Sequence, residues 1–266
     1  MPLRKLHNAD HFVYQCTGVE GGTPVVYLPG VHGCWTPLEQ ARPLFADALS
    51  LIEVAYPLYD QWTLEHYAEE LATMLDSLEL DSVHIIGESF GSLVGWQFGL
   101  TYPSRVRSHI LVGGFCKAPG MYVAATAGLG LSFLPSVAFD MIVDTYVSYK
   151  NIRGEPRKAY GVKSYPAVRG SKGQRATANR MRLIQQADFR HQLAKITFPV
   201  RYIGGGKDRV IPVLREVATL KRQLPTSTSF ESHLIPNDSH AIIASNPKVT
   251  VKYINMWILE IEKKIG

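Results

Sequence analysis

Apolar, β-branched and aromatic residues recur along the chain in seven short runs, at 12–16, 25–28, 52–56, 83–86, 109–112, 200–203 and 232–235. Several are nearly continuous, such as Val25-Val26-Tyr27-Leu28 and Ile110-Leu111-Val112, which predicts strands covered on both faces and hence a mostly parallel sheet. Between them the period changes from two to about 3.6. Tyr67, Leu71, Met74, Leu75 and Leu78 lie three or four apart after Thr63, a residue suited to cap a helix, with Glu65, Glu69 and Glu70 in the early turns. A second helix is predicted from Phe90 to Leu100, apolar nearly all round and so buried. Two more are predicted over 212–224 and 247–264, each with proline in the first turn, where a missing N–H costs nothing.

The alternation breaks after Gly114 and resumes at Phe198-Pro199-Val200. This divides the chain into an α/β core, residues 1–115 and 196–266, and an insertion, 116–195. The first part of the insertion carries apolar bulk at irregular spacing, including Met121, Leu129, Phe133 and Phe139, suited to line an apolar ligand pocket, with Phe133 and Phe139 as candidate substrate-binding residues. Its second part is basic. From Lys150 to Arg182 there are ten Lys and Arg against the single acid Glu155, so the net charge of +5 belongs wholly to this region and the rest of the 266-residue chain is acidic. Such a stretch reads as a solvated surface, or as a field that steers an anionic ligand.

Composition narrows the class further. With 46% apolar and 19% charged residues, disorder, collagen and coiled coil are excluded. No run of 18 residues is free of charges or Gly/Pro breaks, and residues 1–7 lack the apolar core of a signal peptide, which predicts a cytoplasmic protein without membrane contact. Cys16, Cys34 and Cys116 are odd in number and form no Cys-x-x-Cys pair, so neither a disulfide framework nor a metal site is expected. Cys34 and Cys116 read as small buried hydrophobes.

The chemistry concentrates after the fourth predicted strand, where Gly87-Glu88-Ser89-Phe90-Gly91 joins strand to helix. In so tight a turn, side chains two residues either side of the serine would strike neighbouring backbone, hence the glycines, and the serine is left exposed as a nucleophile. A serine hydroxyl needs a base and an orienting acid. Asp208 follows the sixth predicted strand and His240 the seventh, both in loops beyond the strands' carboxyl ends. Asp238 is too near His240 in sequence to approach its ring from the far side, and Glu88 is expected to point away from the hydroxyl. For a developing oxyanion the first donor is the N–H of Phe90, and the Gly-rich turn Leu28-Pro29-Gly30-Val31-His32-Gly33 nominates the N–H of Val31 as the second. Gly30 and His32 are then placed to touch substrate.

On these residues the chain resembles the α/β-hydrolase superfamily. The likeness lies in the elbow at Ser89, the Pro29-Gly30-Val31 turn, the segment from Asp188 to Ile196 leading into Pro199-Val200, and the stretch from Gly204 to Pro212. Pro29 stands where a His is usual, and Ser239 where Gly commonly precedes the catalytic His. The resemblance implies a sheet with helices on both faces and a lid inserted after the sixth strand. It also implies a cofactor-free hydrolase. The fold hosts esterases, thioesterases, lipases and C–C hydrolases, while serine at the elbow disfavours the members that use Asp there. The expected function is therefore hydrolysis of a small-molecule carboxylic ester or thioester with an apolar acyl part, through an acyl-enzyme on Ser89. C–C bond hydrolysis by the same triad and a non-catalytic ligand-binding relative are the alternatives. No nucleic-acid motif accompanies the basic segment, so no nucleic-acid partner is expected.

Overall fold

The computed structural model describes residues 10–118, 135–138, 141 and 169–265. All seven predicted strands form. In chain order they are β1 (Val13–Gly18), β2 (Thr23–Leu28), β3 (Leu49–Ala55), β4 (Val83–Glu88), β5 (Val106–Val112), β6 (Val200–Gly205) and β7 (Phe230–Ile235). They join one sheet in the order β1-β3-β2-β4-β5-β6-β7, parallel throughout except for β1 against β3.

Helices cover both faces, which is why the strands carry so few polar positions. Neighbouring residues on one strand feed opposite cores: Val26, Leu28 and Ile52 join one apolar cluster, Val25, Tyr27 and Leu51 the other. The first cluster is closed by α1 (Leu64–Ser77), α2 (Phe90–Thr101), α3 (Gly170–Gln186) and α4 (Val213–Gln223), the second by the short α5 (Ile242–Ser245) and α6 (Pro247–Ile265). Trp96 and Trp257, each no more than 1% exposed, anchor the two cores. Burying a side chain of that size contributes about 2 kcal/mol or more. Thr63 caps α1 as expected, but the reciprocal partner in its capping box is His66 rather than a Glu.

β5 is the last described strand before the residues of the insertion, and β6 follows them. One fewer strand precedes the break among the described residues than the resemblance counts. Of the insertion, the structure describes the entry as far as Ala118, short pieces at 135–138 and 141, and 169–195, which includes α3. Phe133 and Phe139 lie outside the described residues.

Candidate active site

The site sits where β4, β6 and β7 end. Ser89 occupies the junction of β4 and α2 with φ +48° and ψ −114°, a conformation L-residues rarely adopt outside functional turns. The surroundings enforce it. A Cβ on Gly91 would lie 2.1 Å from the Leu28 carbonyl oxygen, and one on Gly87 would lie 2.8 Å from both the Ser92 Cα and the His109 ring, so no larger residue fits either position. Ser89 N–H donates to the Val112 carbonyl at 3.1 Å, and the Ser92 hydroxyl donates to the Ser89 carbonyl at 2.6 Å.

His240 brings its Nε2 to 3.0 Å from Ser89 Oγ, while its Nδ1 lies 2.8 Å from Asp208 Oδ2. The Asp208 side chain is fully buried, and its other oxygen accepts the N–H groups of Val210 and Ile211 at 2.7 and 2.9 Å. One oxygen is thus held by its own loop and the other is aimed at the imidazole. The two loops are fastened to each other by Gly206 N–H to the Ile235 carbonyl and Lys207 N–H to the Asp238 carbonyl, both at 2.8 Å. Asp238 stays out of the arrangement: its carboxylate accepts from Ser239 N–H and from the hydroxyl of Ser245, the last residue of α5.

The turn that follows β2 reaches the serine from the other side. A Cβ on Gly30 would lie 3.5 Å from Ser89 Cβ, and the turn closes through Gly33 N–H to the Gly30 carbonyl at 2.9 Å. Among the described hydrogen bonds, neither the Val31 nor the Phe90 amide donates to a protein acceptor.

Glu88 points away from the hydroxyl, and what it does instead was not visible in the sequence. Its carboxylate is buried, accepts the Tyr27 hydroxyl and lies 3.3 Å from His32 Nε2. Burial alone would raise the Glu88 carboxyl, but the His32 hydrogen bond and charge, with the Tyr27 hydroxyl, hold it below the usual carboxylate range. His32 responds in kind: burial disfavours its charged form, yet contacts with Cys34 and Glu88 outweigh that and bring it to about 9. The ring of His32 is therefore turned to Glu88 and Cys34. Cys34 is buried as expected but polar in its contacts, its Sγ lying 3.3 Å from Thr36 Oγ1 and 3.9 Å from His32 Nδ1. Cys116, in the loop after β5, has a polar partner too: Glu216 accepts its N–H at 2.7 Å.

Two further residues escaped the sequence. His109 is fully buried behind the elbow, edge-on to Trp96 with ring centroids 4.6 Å apart, and burial pushes it down to about 3, so it packs as a neutral ring. Arg180 of α3 is also fully buried, and its Nε donates to the Val31 carbonyl at 2.7 Å. Its place in the apolar stripe Ala176, Arg180, Leu183, Ile184 is the signal that could have singled it out from the surrounding basic surface. Among the described residues, no three His, Cys, Asp or Glu side chains cluster as a metal site, and no helix is long and apolar enough to cross a membrane.

A serine, histidine and aspartate joined by hydrogen bonds at the carboxyl edge of a doubly covered parallel sheet define a class of protein. The chain belongs to the alpha/beta hydrolase fold family, whose model matches residues 41–247. It is 36% identical over 108 residues to the proline iminopeptidase of Heyndrickxia coagulans, a match spanning 37% of this chain and 38% of that protein. To the 2-hydroxy-6-oxo-2,4-heptadienoate hydrolase of Pseudomonas putida it is 30% identical over 156 residues, 56% of this chain and 55% of the relative. The chain thus spans about half or less of the length of either curated relative. Among solved structures it is similar to a thermophilic esterase from Thermogutta terrifontis, with a TM-score of 0.78 at 18% identity, covering 94% of this chain and 93% of that one. At that identity the likeness is one of fold.

Proposed function

We propose that this protein is a serine hydrolase that cleaves a carboxylic ester or thioester. The observation that carries the reading is the unbroken path from Ser89 Oγ through His240 to a buried Asp208, at 3.0 and 2.8 Å. In this reading Ser89 Oγ attacks the acyl carbon as His240 Nε2 takes its proton, and the carbonyl π electrons move onto oxygen. The oxyanion accepts from the N–H groups of Val31 and Phe90. Collapse expels the alcohol or thiol, which leaves with the proton from His240, and water then repeats the sequence on the acyl-enzyme to release the acid. Asp208 keeps Nδ1–H of His240 directed at itself and stabilises the imidazolium. The insertion 116–195 serves as the lid, with its apolar part over the acyl group and Gly30, His32, Phe133 and Phe139 near the substrate.

A second reading is favoured by one finding, the resemblance to a relative named for C–C cleavage of a 2-hydroxy-6-oxo-dienoate. The same serine, histidine and aspartate would serve there. A fluorophosphonate probe with peptide mapping, followed by rates on p-nitrophenyl esters of rising chain length, acyl-CoAs and a 2-hydroxy-6-oxo-dienoate, separates the two. Labelling of Ser89 with turnover of esters or thioesters is the expected result. Turnover of the dienoate alone would replace the first reading by the second, and absence of labelling would sink both.

A further inference from the structure

The turn at 30–33 is held by almost every carbonyl it has. Tyr56 donates its hydroxyl to the Pro29 carbonyl at 3.2 Å and its N–H to that of Gly33 at 2.9 Å, and Gly33 N–H takes the carbonyl of Gly30. These donors belong to the core. The remaining hold, on Val31 itself, comes from the insertion: Arg180 Nε donates to the Val31 carbonyl at 2.7 Å. The guanidinium lies flat against Gly33, where φ is +74° and a Cβ would come within 3.2 Å of Cζ, so the turn and the arginine are fitted to each other.

The electrostatics of this contact are unusual. Arg180 is 0% exposed, and no carboxylate lies within salt-bridge distance of it among the described residues. Its Nη2 donates to the Thr177 hydroxyl at 3.3 Å, the Tyr67 phenol lies close enough to interact with the guanidinium, and its Nη1 finds no hydrogen-bond partner among the described residues. Burying a cation without an anion is costly, and mutations that merely improve packing would remove it. The charge is felt nearby: burial raises the phenols of Tyr56 and Tyr67, and the Arg180 charge opposes that rise in both. Arg180 is also delivered with care, since the preceding Asn179 donates its amide to the Trp62 carbonyl at 2.8 Å. A buried positive charge, with no carboxylate partner among the described residues, is thus fixed on the carbonyl of Val31, the residue whose amide the reading above assigns to the oxyanion.

We propose that Arg180 is a positioning residue for acyl transfer, clamping Val31 so that its N–H stays aimed at the oxyanion and adding a buried positive charge next to that turn. The proposal rests on the serine-hydrolase reading above. Because negative charge grows there only as the tetrahedral species forms, the residue acts on the transition state more than on substrate binding. The lid is then part of the catalytic apparatus as well as a roof.

The test compares wild type, Arg180→Lys, Arg180→Gln and, as a control on the same helix, Arg175→Ala. Each is assayed for kcat and KM on a neutral p-nitrophenyl ester, for inhibition by an alkyl boronic acid, which forms an anionic tetrahedral adduct on serine, and for inhibition by the matching neutral alcohol. Arg180→Gln is expected to lose about 30-fold or more in kcat and in boronate affinity, with KM and alcohol affinity within about threefold. Arg180→Lys, which keeps charge but not the planar fork, is expected to lose only about three- to tenfold, and Arg175→Ala to match wild type. Should Arg180→Gln fail to fold, Arg180→Lys decides by itself, and parity with wild type overturns the proposal. Loss of boronate and alcohol affinity in step also overturns it, because a merely structural role would weaken both. Failure of the underlying reading looks different: wild type would bind no boronate and Ser89→Ala would keep its activity.

Discussion

At the residue scale, the proposed triad acts as one unit because each member's contribution depends on the other two being in place. Ser89→Ala, His240→Ala and Asp208→Asn are each expected to lower hydrolysis by several orders of magnitude while the fold persists. The double and triple variants should be little worse than the worst single one. Steady-state rates on a p-nitrophenyl ester, with circular dichroism as the fold control, check this. A second prediction comes from His32. Its folded-state value lies at about 9, above the ordinary 6.5, because Cys34 and Glu88 outweigh burial. A raised value means that the folded state binds the proton more tightly, so the stabilisation is complete below about pH 6.5 and is lost as pH rises through about 9. The melting temperature of wild type is expected to fall across that window, and His32→Gln to show a much flatter curve there. These two residues show what was legible. Ser89 and its partners announce themselves through glycine spacing and chain order, whereas the Tyr27–Glu88–His32 network joins residues that no local pattern connects.

At the element scale, the decisive feature is the approach of the elbow to the end of β2. The Leu28 carbonyl would lie 2.1 Å from a Cβ on Gly91, and that oxygen is backbone, which cannot swing aside. Gly91→Ala is therefore expected to push α2 away from β2, lowering activity by about 100-fold or more, as a displacement near 1 Å can, and reducing the melting temperature. Thermal unfolding and ester hydrolysis on the same preparation test both halves. Existence and type of the elements were readable because burial on both faces leaves unbroken apolar runs, and amphipathic helices leave a 3.6 period. Their ends were less so. β6 runs to Gly205, two residues beyond its apolar run, since pairing with β7 continues through Gly204 and Gly205 whatever their side chains. Pro212 proved to be the cap of α4 rather than its first residue.

At the scale of the whole molecule, the question is what the basic excess of the insertion does. The structure divides it. Arg180 is buried in the core, while Lys172 is exposed on α3 and Arg175, though paired with Asp60, is still 54% exposed. A steering field must come from the exposed members, and exposed charges are screened within about 10 Å at 0.1 M salt. If they guide an anionic substrate such as an acyl-CoA, its kcat/KM falls steeply with ionic strength while that of a neutral ester stays nearly flat. Reversing Arg169, Lys172 and Arg175 to Glu should then abolish the difference between the two substrates. Equal salt responses, unchanged by the reversal, would leave the segment as surface.

The residues by themselves determined the class of fold, the identity of the candidate nucleophile, base and acid, and the turn that faces them. Each of these rests on a local rule: period, glycine where a Cβ cannot fit, or the loop at a strand's carboxyl end. Only the tertiary structure decided that Glu88 is held by Tyr27 and His32, that His109 lies neutral behind the elbow, and that one arginine of a basic stretch enters the core to grip Val31. Those outcomes depend on which side chains are carried together across 56 positions in one case and 149 in the other. A sequence records charge and spacing but not proximity, and burial, which turns a surface arginine into an electrostatic element of a site, exists only once the chain has closed around it.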